Sequence, residues 1–183
     1  MAHPITPPPQ NPTALLLLKG HPATGKTVLA EALVAALGWP LIDKDDVKDF
    51  TLGLPDGNQL AYRIMWQITA RQLALGLSVI VDSPLSYPES YATGRALAAQ
   101  HGARLLVVET WLPDDEWRRR LDARPADAST HKIRGWARMQ TQLAAYNGCW
   151  HYPIDPSHHL RVDTRREVGE NVQEIMTRLE QQD

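Results

Sequence analysis

The sequence predicts an α/β fold in which helices cover both faces of a parallel sheet. Short apolar runs of strand length alternate with longer segments of helical character from residue 14 to residue 179. This alternation is typical of strand–helix–strand units, whose strands run parallel. The chain of 183 residues shows no internal repeat and no dividing linker, so we expect a single domain over residues 13–183.

Five segments are expected to be strands because they are short, apolar and bounded by turn residues: Ala14–Lys19, Trp39–Asp43, Ser78–Asp82, Arg104–Glu109 and Leu160–Asp163. Seven segments are expected to be helices, several of them closed by a glycine: Thr27–Leu37, Asp45–Leu52, Gln59–Leu75, Pro88–His101, Pro113–Ala123, Thr130–Tyr146 and Glu167–Leu179. In the third helix the apolar residues at helical spacing are Leu60, Ile64, Ile68 and Leu75.

Bulk composition excludes several classes of protein. A net charge of −2 offers no overall basic field for nucleic acid or anionic membranes. The one cysteine, Cys149, forms no intramolecular disulfide, and this fits a cytoplasmic protein. No apolar run reaches the length of a membrane span. Residues 1–12 contain five prolines, and we expect them to form a disordered leader.

Residues 20–27, GHPATGKT, match the Walker A pattern G-x-x-x-x-G-K-[ST] at every fixed position. They follow a predicted buried strand and open a predicted helix, which is the context that phosphate binding requires. We expect Lys26 to reach the β- and γ-phosphates of ATP and the Thr27 hydroxyl to ligate Mg²⁺. The expected nucleotide contacts in this segment are Gly20, His21, Pro22, Ala23, Thr24, Gly25, Lys26, Thr27 and Val28.

Carboxylates follow the second and third predicted strands, at the sheet edge where parallel sheets bind ligands. Asp43 and Asp45 would point in similar directions if the strand extended that far, and Asp46 suits capping of the next helix. These side chains could accept a proton from a hydroxyl or hold a Mg²⁺-bound water, or form only a solvated acidic turn. Asp82 could order Mg²⁺ water, orient the Walker A loop, or simply cap its strand.

Together these segments resemble the P-loop kinases of the nucleoside-monophosphate-kinase-like group. The chain is most similar to the bacterial predicted kinases (AAA-type ATP-binding proteins), which are grouped with shikimate kinase, gluconate kinase, chloramphenicol phosphotransferase and phage polynucleotide kinase. Residues 43–45 resemble a D-x-D motif, residues 44–48 an R-D-D-x-R segment, and residues 120–124 a lid. The resemblance implies a three-layer fold with strand order 2-3-1-4-5 and a small helical lid at about 113–135.

The resemblance also implies roles for individual residues. Asp45 would be the general base toward an acceptor hydroxyl, with Asp43 and Asp82 beside Mg²⁺. Further residues would face the substrate (Lys48, Asp82), close as lid arginines (Arg120, Arg124), or border adenine (Thr164, Arg165). Residues 82–86, DSPLS, replace the Gly-Gly-Gly segment of shikimate kinases, and residues 165–168 lack that family's proline. The first departure argues against shikimate as the substrate, and the second concerns the loop that would border adenine.

The arginine cluster at residues 118–124 and the aromatic stretch at residues 146–152 can each be interpreted as functional or as structural. Arg120 and Arg124 share a helix face and could stabilise a transferring phosphoryl group, whereas Arg118 and Arg119 fit a solvated surface. The aromatic stretch at residues 146–152 could line an acceptor pocket or belong to the core, and we expect Trp136 in the core.

The sequence thus predicts transfer of the γ-phosphoryl group of Mg·ATP to a hydroxyl of a small molecule. A polynucleotide 5′-hydroxyl kinase is one alternative, and a nucleotide-dependent switch or ATPase with no acceptor is another. No pattern in the sequence identifies the acceptor.

Overall fold

The computed structural model describes residues 13–125 and 132–181, so the predicted leader and residues 126–131 of the predicted lid lie outside it. Five parallel strands form one sheet: β1 Ala14–Lys19, β2 Leu41–Asp43, β3 Val79–Asp82, β4 Arg104–Trp111 and β5 His159–Asp163. Their order is β2-β3-β1-β4-β5, as predicted. β2 is shorter than expected because Pro40 has no N–H to donate to a neighbouring strand.

Seven helices connect and flank these strands within the described residues: α1 Lys26–Leu37, α2 Lys44–Thr51, α3 Gly57–Ala74, α4 Pro88–His101, α5 Asp114–Asp122, α6 Trp136–Tyr146 and α7 Val168–Glu180. Within the described residues, the helix that was predicted over 130–146 begins at Trp136. Among the described residues, no helix combines the length and the apolar character needed to cross a membrane.

The sheet is the middle of three layers, and side chains alternate between its faces. Leu16, Leu18 and Ile80 pack in a core with residues of α1 and α7. Leu15 and Leu17 pack on the other side with residues of α3 and α4. Gly94 allows α4 to approach β1 closely, since a Cβ at this position would lie only 2.6 Å from Leu17 Cδ1.

Helix α3 forms as predicted, but a different face of it is buried. Ala61, Met65, Thr69 and Leu73, each four residues apart, point into the core, whereas Ile68 and Leu75 are exposed. The apolar residues of this helix are spread around its circumference, so their spacing does not define one face. Thr69 can be buried because its hydroxyl donates to the Met65 carbonyl at 2.9 Å.

Candidate active site

The candidate site lies where β1, β2 and β3 end. Asp43 and Asp82 are register partners on β2 and β3, and the loop at residues 20–25 continues directly from β1. These ends open into a cavity of about 680 Å³. Ligands of open parallel sheets bind in this position, beyond the carboxyl ends of the strands.

The loop at residues 20–25 has the backbone that anion binding requires. Gly25 has φ +88°, and a Cβ there would also approach Thr164 to 3.3 Å. Lys26 Nζ donates to the carbonyls of Gly20 at 2.8 Å and His21 at 3.1 Å, which holds the ammonium group at the loop. Since α1 begins at Lys26, the N–H groups of its first turn have no acceptor within the helix. The donor set therefore fits a triphosphate.

Burial lowers the pKa of Lys26, and the neighbouring Asp82 and Asp45 oppose that shift. A bound polyanion would favour the charged form of Lys26 in the same way. The buried ammonium group is thus placed where it can stabilise negative charge on phosphate oxygens.

Oxygen ligands suitable for Mg²⁺ meet beside this loop. Thr27 Oγ1 donates to Asp82 Oδ2 at 3.1 Å, which favours the interpretation that Asp82 orients the Walker A threonine. Burial raises the pKa of Asp82, and burial with the nearby Asp82 charge raises the pKa of Asp43 to about 6. A cation would relieve this repulsion. The described residues contain no group of three or more His, Cys, Asp or Glu side chains that could hold a metal ion by itself. Mg²⁺ would therefore need phosphate oxygens and water as further ligands.

The acidic segment after β2 is arranged differently from the expectation. Asp43, not Asp46, caps α2, because the strand ends at Asp43 and its carboxylate accepts the Asp45 N–H at 2.8 Å. Asp45 therefore lies on the helix, and it does not share a strand face with Asp43. Asp45 lines the cavity and pairs with the buried Lys44, Oδ1 to Nζ 3.1 Å, whereas Asp46 is exposed outside it.

Only one of the two predicted lid arginines lies on α5, Arg120, because the helix ends at Asp122 and Arg124 follows it. The expectation that both share a helix face is therefore wrong. Arg120 Nη2 donates to the Thr164 carbonyl at 2.9 Å, and Thr164 Oγ1 donates to the Thr24 carbonyl at 2.8 Å, so Arg120 is tied to the Walker A loop. Arg124 donates to the Ile133 carbonyl at 2.8 Å; burial lowers its pKa and Asp45 opposes that shift. Both arginines line the cavity. A lid role for residues 113–135 stays a prediction.

The remaining arginines divide between surface and cavity. Arg118 is exposed, as expected, and pairs with Asp122. Arg119 is exposed and pairs with Glu116 at 2.7 Å, yet its side chain also borders the cavity. Arg165 is exposed, bonded to Asp163, and does not line the cavity. Its predicted adenine contact stays a prediction.

A second part of the cavity wall is built from scattered side chains. Besides Lys44, the expected Lys48 and Ser86, which belong to segments noted in the sequence, it contains residues that no sequence motif singled out: Asn58, Tyr62, Tyr87 and Gln142. Tyr146, from the aromatic stretch, also belongs to it. These residues come from α2, α3, α6 and the β3–α4 connection. Their common position follows only from the three-dimensional fold.

An aromatic column supports the outer side of the Walker A loop. The His21 ring stacks between Trp150, at 3.6 Å, and Trp117, at 4.8 Å between centroids. Trp136 meets Trp117 edge-on at 5.2 Å, and Lys19 Nζ lies 3.6 Å from the centroid of the Trp150 ring. The aromatic stretch therefore contributes to packing as well as to the cavity. Sequence patterns gave no signal for Lys19 or Trp117.

This column fixes the loop through polar contacts too. Trp117 Nε1 donates to the Pro22 carbonyl at 2.8 Å, and Lys19 pairs with Glu109 at 3.6 Å. Burial, with the nearby positive charge of Lys19, lowers the pKa of His21 to about 3. His21 is therefore neutral at physiological pH and acts here as a packing residue.

Solved structures share this fold at low sequence identity. A candidate kinase from Chloroflexus aurantiacus aligns over 92% of this chain and 99% of its own, with TM-score 0.73 and 23% identity. The Mycobacterium tuberculosis APS kinase CysC, in complex with AMPPNP and APS, covers 94% and 99% with TM-score 0.67 and 20% identity. A gluconokinase from Sinorhizobium meliloti covers 94% of each chain with TM-score 0.67 and 19% identity. The fold is thus that of P-loop kinases.

Sequence comparison adds the family. No curated protein matches the chain significantly. The family model for an AAA domain matches residues 15–146, which include the Walker A loop, the acidic segment and both predicted lid arginines. Because this match covers most of the chain, the protein belongs to the AAA domain family.

Proposed function

We propose that this protein is an ATP-dependent phosphotransferase that moves the γ-phosphoryl group to a hydroxyl of a small molecule. The observation that carries the proposal is one cavity lined by both the Walker A lysine and a carboxylate suited to act as a base, Lys26 and Asp45. Their charges are close enough for Asp45 to act on the pKa of Lys26. The structural likeness to an APS kinase and a gluconokinase supports the same class of reaction.

In the proposed reaction, the acceptor oxygen forms a bond to the γ-phosphorus as the bond to the β-phosphate oxygen breaks. ADP is the leaving group, and the hydroxyl proton passes to the carboxylate of Asp45. Lys44, buried and paired with Asp45, holds that carboxylate at the cavity wall. Asp46 is a weaker choice of base because it is exposed outside the cavity.

Positive groups surround the place where phosphoryl charge would develop. Lys26, Arg120 and Arg124 all line the cavity and come from separate parts of the chain. Bound Mg²⁺ would neutralise phosphate charge, with Thr27, Asp43 and Asp82 as the residues beside it. The tie from Arg120 through Thr164 to the Walker A loop would hold that arginine beside the nucleotide.

Turnover of Mg·ATP with pooled alcohols tests this function. The pools contain sugars, hydroxy acids, aminoglycosides, nucleosides and a 5′-hydroxyl oligonucleotide, and ADP release is measured for each. A small-molecule pool that raises ADP release well above the acceptor-free rate, with phosphate recovered on the alcohol, supports the proposal. Stimulation by the oligonucleotide alone would favour a polynucleotide kinase, and equal slow hydrolysis in every pool would favour a switch or ATPase.

A further inference from the structure

The part of the cavity wall that is formed by α2, α3, α6 and the β3–α4 connection has an aromatic lining of its own. Tyr62 of α3, Tyr87 beside α4 and Tyr146 of α6 all contribute to it. The rings of Tyr87 and Tyr146 meet edge to face with centroids 5.9 Å apart. Burial raises the pKa of Tyr62, and the nearby Tyr146 and Tyr87 add to the shift. All three side chains line the same cavity. Such a lining suits the flat face of a ring compound.

Polar groups between these rings are available to a ligand. The hydroxyls of Tyr62 and Tyr87 and the amides of Asn58 and Gln142 belong to residues that line the cavity. None of these four groups has a hydrogen-bond partner in the part of the chain that the structure describes. They can therefore donate to and accept from the hydroxyl groups of a bound molecule.

The α2 side chains on this wall carry a net positive charge, because the two lysines, Lys44 and Lys48, outnumber the proposed base, Asp45. Lys44 and Lys48 are one turn apart on α2, and the carboxylate of Asp45 pairs with Lys44 at 3.1 Å. Lys48 forms no ion pair with any described residue. Burial and the neighbouring Lys44 charge together lower the pKa of Lys48. An acidic group beside Lys48 would relieve this repulsion and replace lost hydration.

We infer that the acceptor is a ring-bearing alcohol that also carries an acidic group. The ring lies among Tyr62, Tyr87 and Tyr146, and the acidic group binds Lys48. This inference rests on the proposed function, since it treats the wall as the acceptor side of a phosphotransferase. It also predicts discrimination: a cationic acceptor would meet Lys48 and Arg124, two like charges, on entering the cavity.

Matched probes test the sign of the charge and the ring separately. Three share one skeleton: 4-(hydroxymethyl)benzoate, its neutral carboxamide, and the cationic 4-(aminomethyl)benzyl alcohol. The acid 6-hydroxyhexanoate lacks the ring. Binding of each to the full chain with Mg·AMPPNP present is measured by ligand-observed NMR. The same series is run on Lys48→Gln, Tyr62→Leu and, as a control, Arg63→Gln, which removes an exposed charge of α3 outside the cavity.

The benzoate should bind most tightly, followed by the amide and then the amine. Lys48→Gln should cost the benzoate about tenfold in affinity, the typical worth of a charge-assisted contact, and leave the amide unchanged. Tyr62→Leu should weaken all three ring compounds, and Arg63→Gln should change none. An amine that binds as well as the acid, an unchanged acid preference in Lys48→Gln, or no binding of any ring probe would overturn the inference. The probe ranking is measured without turnover, so it stands or falls separately from the acceptor screen.

Discussion

The two halves of the cavity are built in opposite ways. The nucleotide half is a run of consecutive residues, 20–28, whose backbone and one lysine supply most of the polar groups. The proposed acceptor half is assembled from single side chains between residues 44 and 146, drawn from α2, α3, α6 and the β3–α4 connection. Backbone recognition of phosphate depends on a local loop shape, whereas recognition of an acceptor depends on which side chains the fold brings together.

This difference predicts that substitutions in the two halves separate nucleotide binding from phosphoryl transfer. Changes in the Walker A loop should affect every reaction of the protein. Changes in the acceptor wall should leave nucleotide affinity intact.

The largest effect is expected for Lys26→Ala. Its ammonium group holds the loop carbonyls and would neutralise phosphate charge, so measurable ATP turnover should be lost. Turnover is measured as ADP release and nucleotide affinity by titration with Mg·AMPPNP. The thermal melting curve serves as the control and should stay close to that of the unsubstituted protein. Full turnover in the variant would contradict the assignment of this loop.

Asp45→Asn should be the next largest change and should affect only transfer. Loss of a general base lowers rates by roughly 10²-fold or more, while affinity for Mg·AMPPNP should stay within a few-fold. Asp46→Asn is the matched control, because it makes the same change at the neighbouring exposed position. A larger effect from Asp46→Asn would show that the wrong aspartate has been assigned as the base.

Thr164→Val should have a smaller effect, confined to the nucleotide half. It removes the hydroxyl that donates to the Thr24 carbonyl and should lower Mg·AMPPNP affinity about fivefold, the worth of roughly one hydrogen bond. Thr177→Val makes the same change on α7, where the hydroxyl bonds Gln173 within the helix. The account requires affinity to fall in the first variant and not in the second.

The last prediction concerns acid stability, through His21, and not catalysis. Its pKa of about 3 in the folded protein lies below the ordinary 6.5, so the unfolded chain binds a proton first as pH falls. His21 therefore lowers the free energy of unfolding as pH falls from about 6.5 toward about 3. His21→Phe keeps a stacking ring and should flatten the fall in melting temperature over this window.

His101→Phe is the control for that measurement, since it removes a histidine at the end of α4, on the opposite edge of the sheet from the site. Melting temperatures of both variants are compared between pH 7 and pH 4. Equal pH dependence in His21→Phe and the unsubstituted protein would mean that His21 is not held neutral by its aromatic neighbours.

The sequence was sufficient for the strands and for the loop at residues 20–27. The lists of strands and helices and this loop follow from local patterns, because buried parallel strands and phosphate loops have short-range signatures. The strand order was implied by the resemblance to P-loop kinases, and the structure confirms it. One capping residue was predicted wrongly. Asp43, not Asp46, caps α2, because the helix begins at Lys44, directly after a strand that ends at Asp43 as predicted.

The acceptor half and the aromatic column could not be found in this way. Tyr62 sits on the same helix as Ile64 and Ile68, and nothing in its spacing marks it as a cavity residue. Lys19 and Trp117 meet His21 and Trp150 only after β1, α5 and the segment following α6 have packed. Such contacts between distant residues depend on tertiary packing, which periodicity does not encode.

A structure of the protein with Mg·AMPPNP bound tests the central claim most directly. The account predicts the triphosphate in the loop at residues 20–27, the metal ion beside Thr27 and Asp82, and the space among Tyr62, Tyr87 and Tyr146 left open next to Asp45. Adenine lying among the tyrosines, or a triphosphate held away from Lys26, would contradict the division of this cavity into a nucleotide half and an acceptor half.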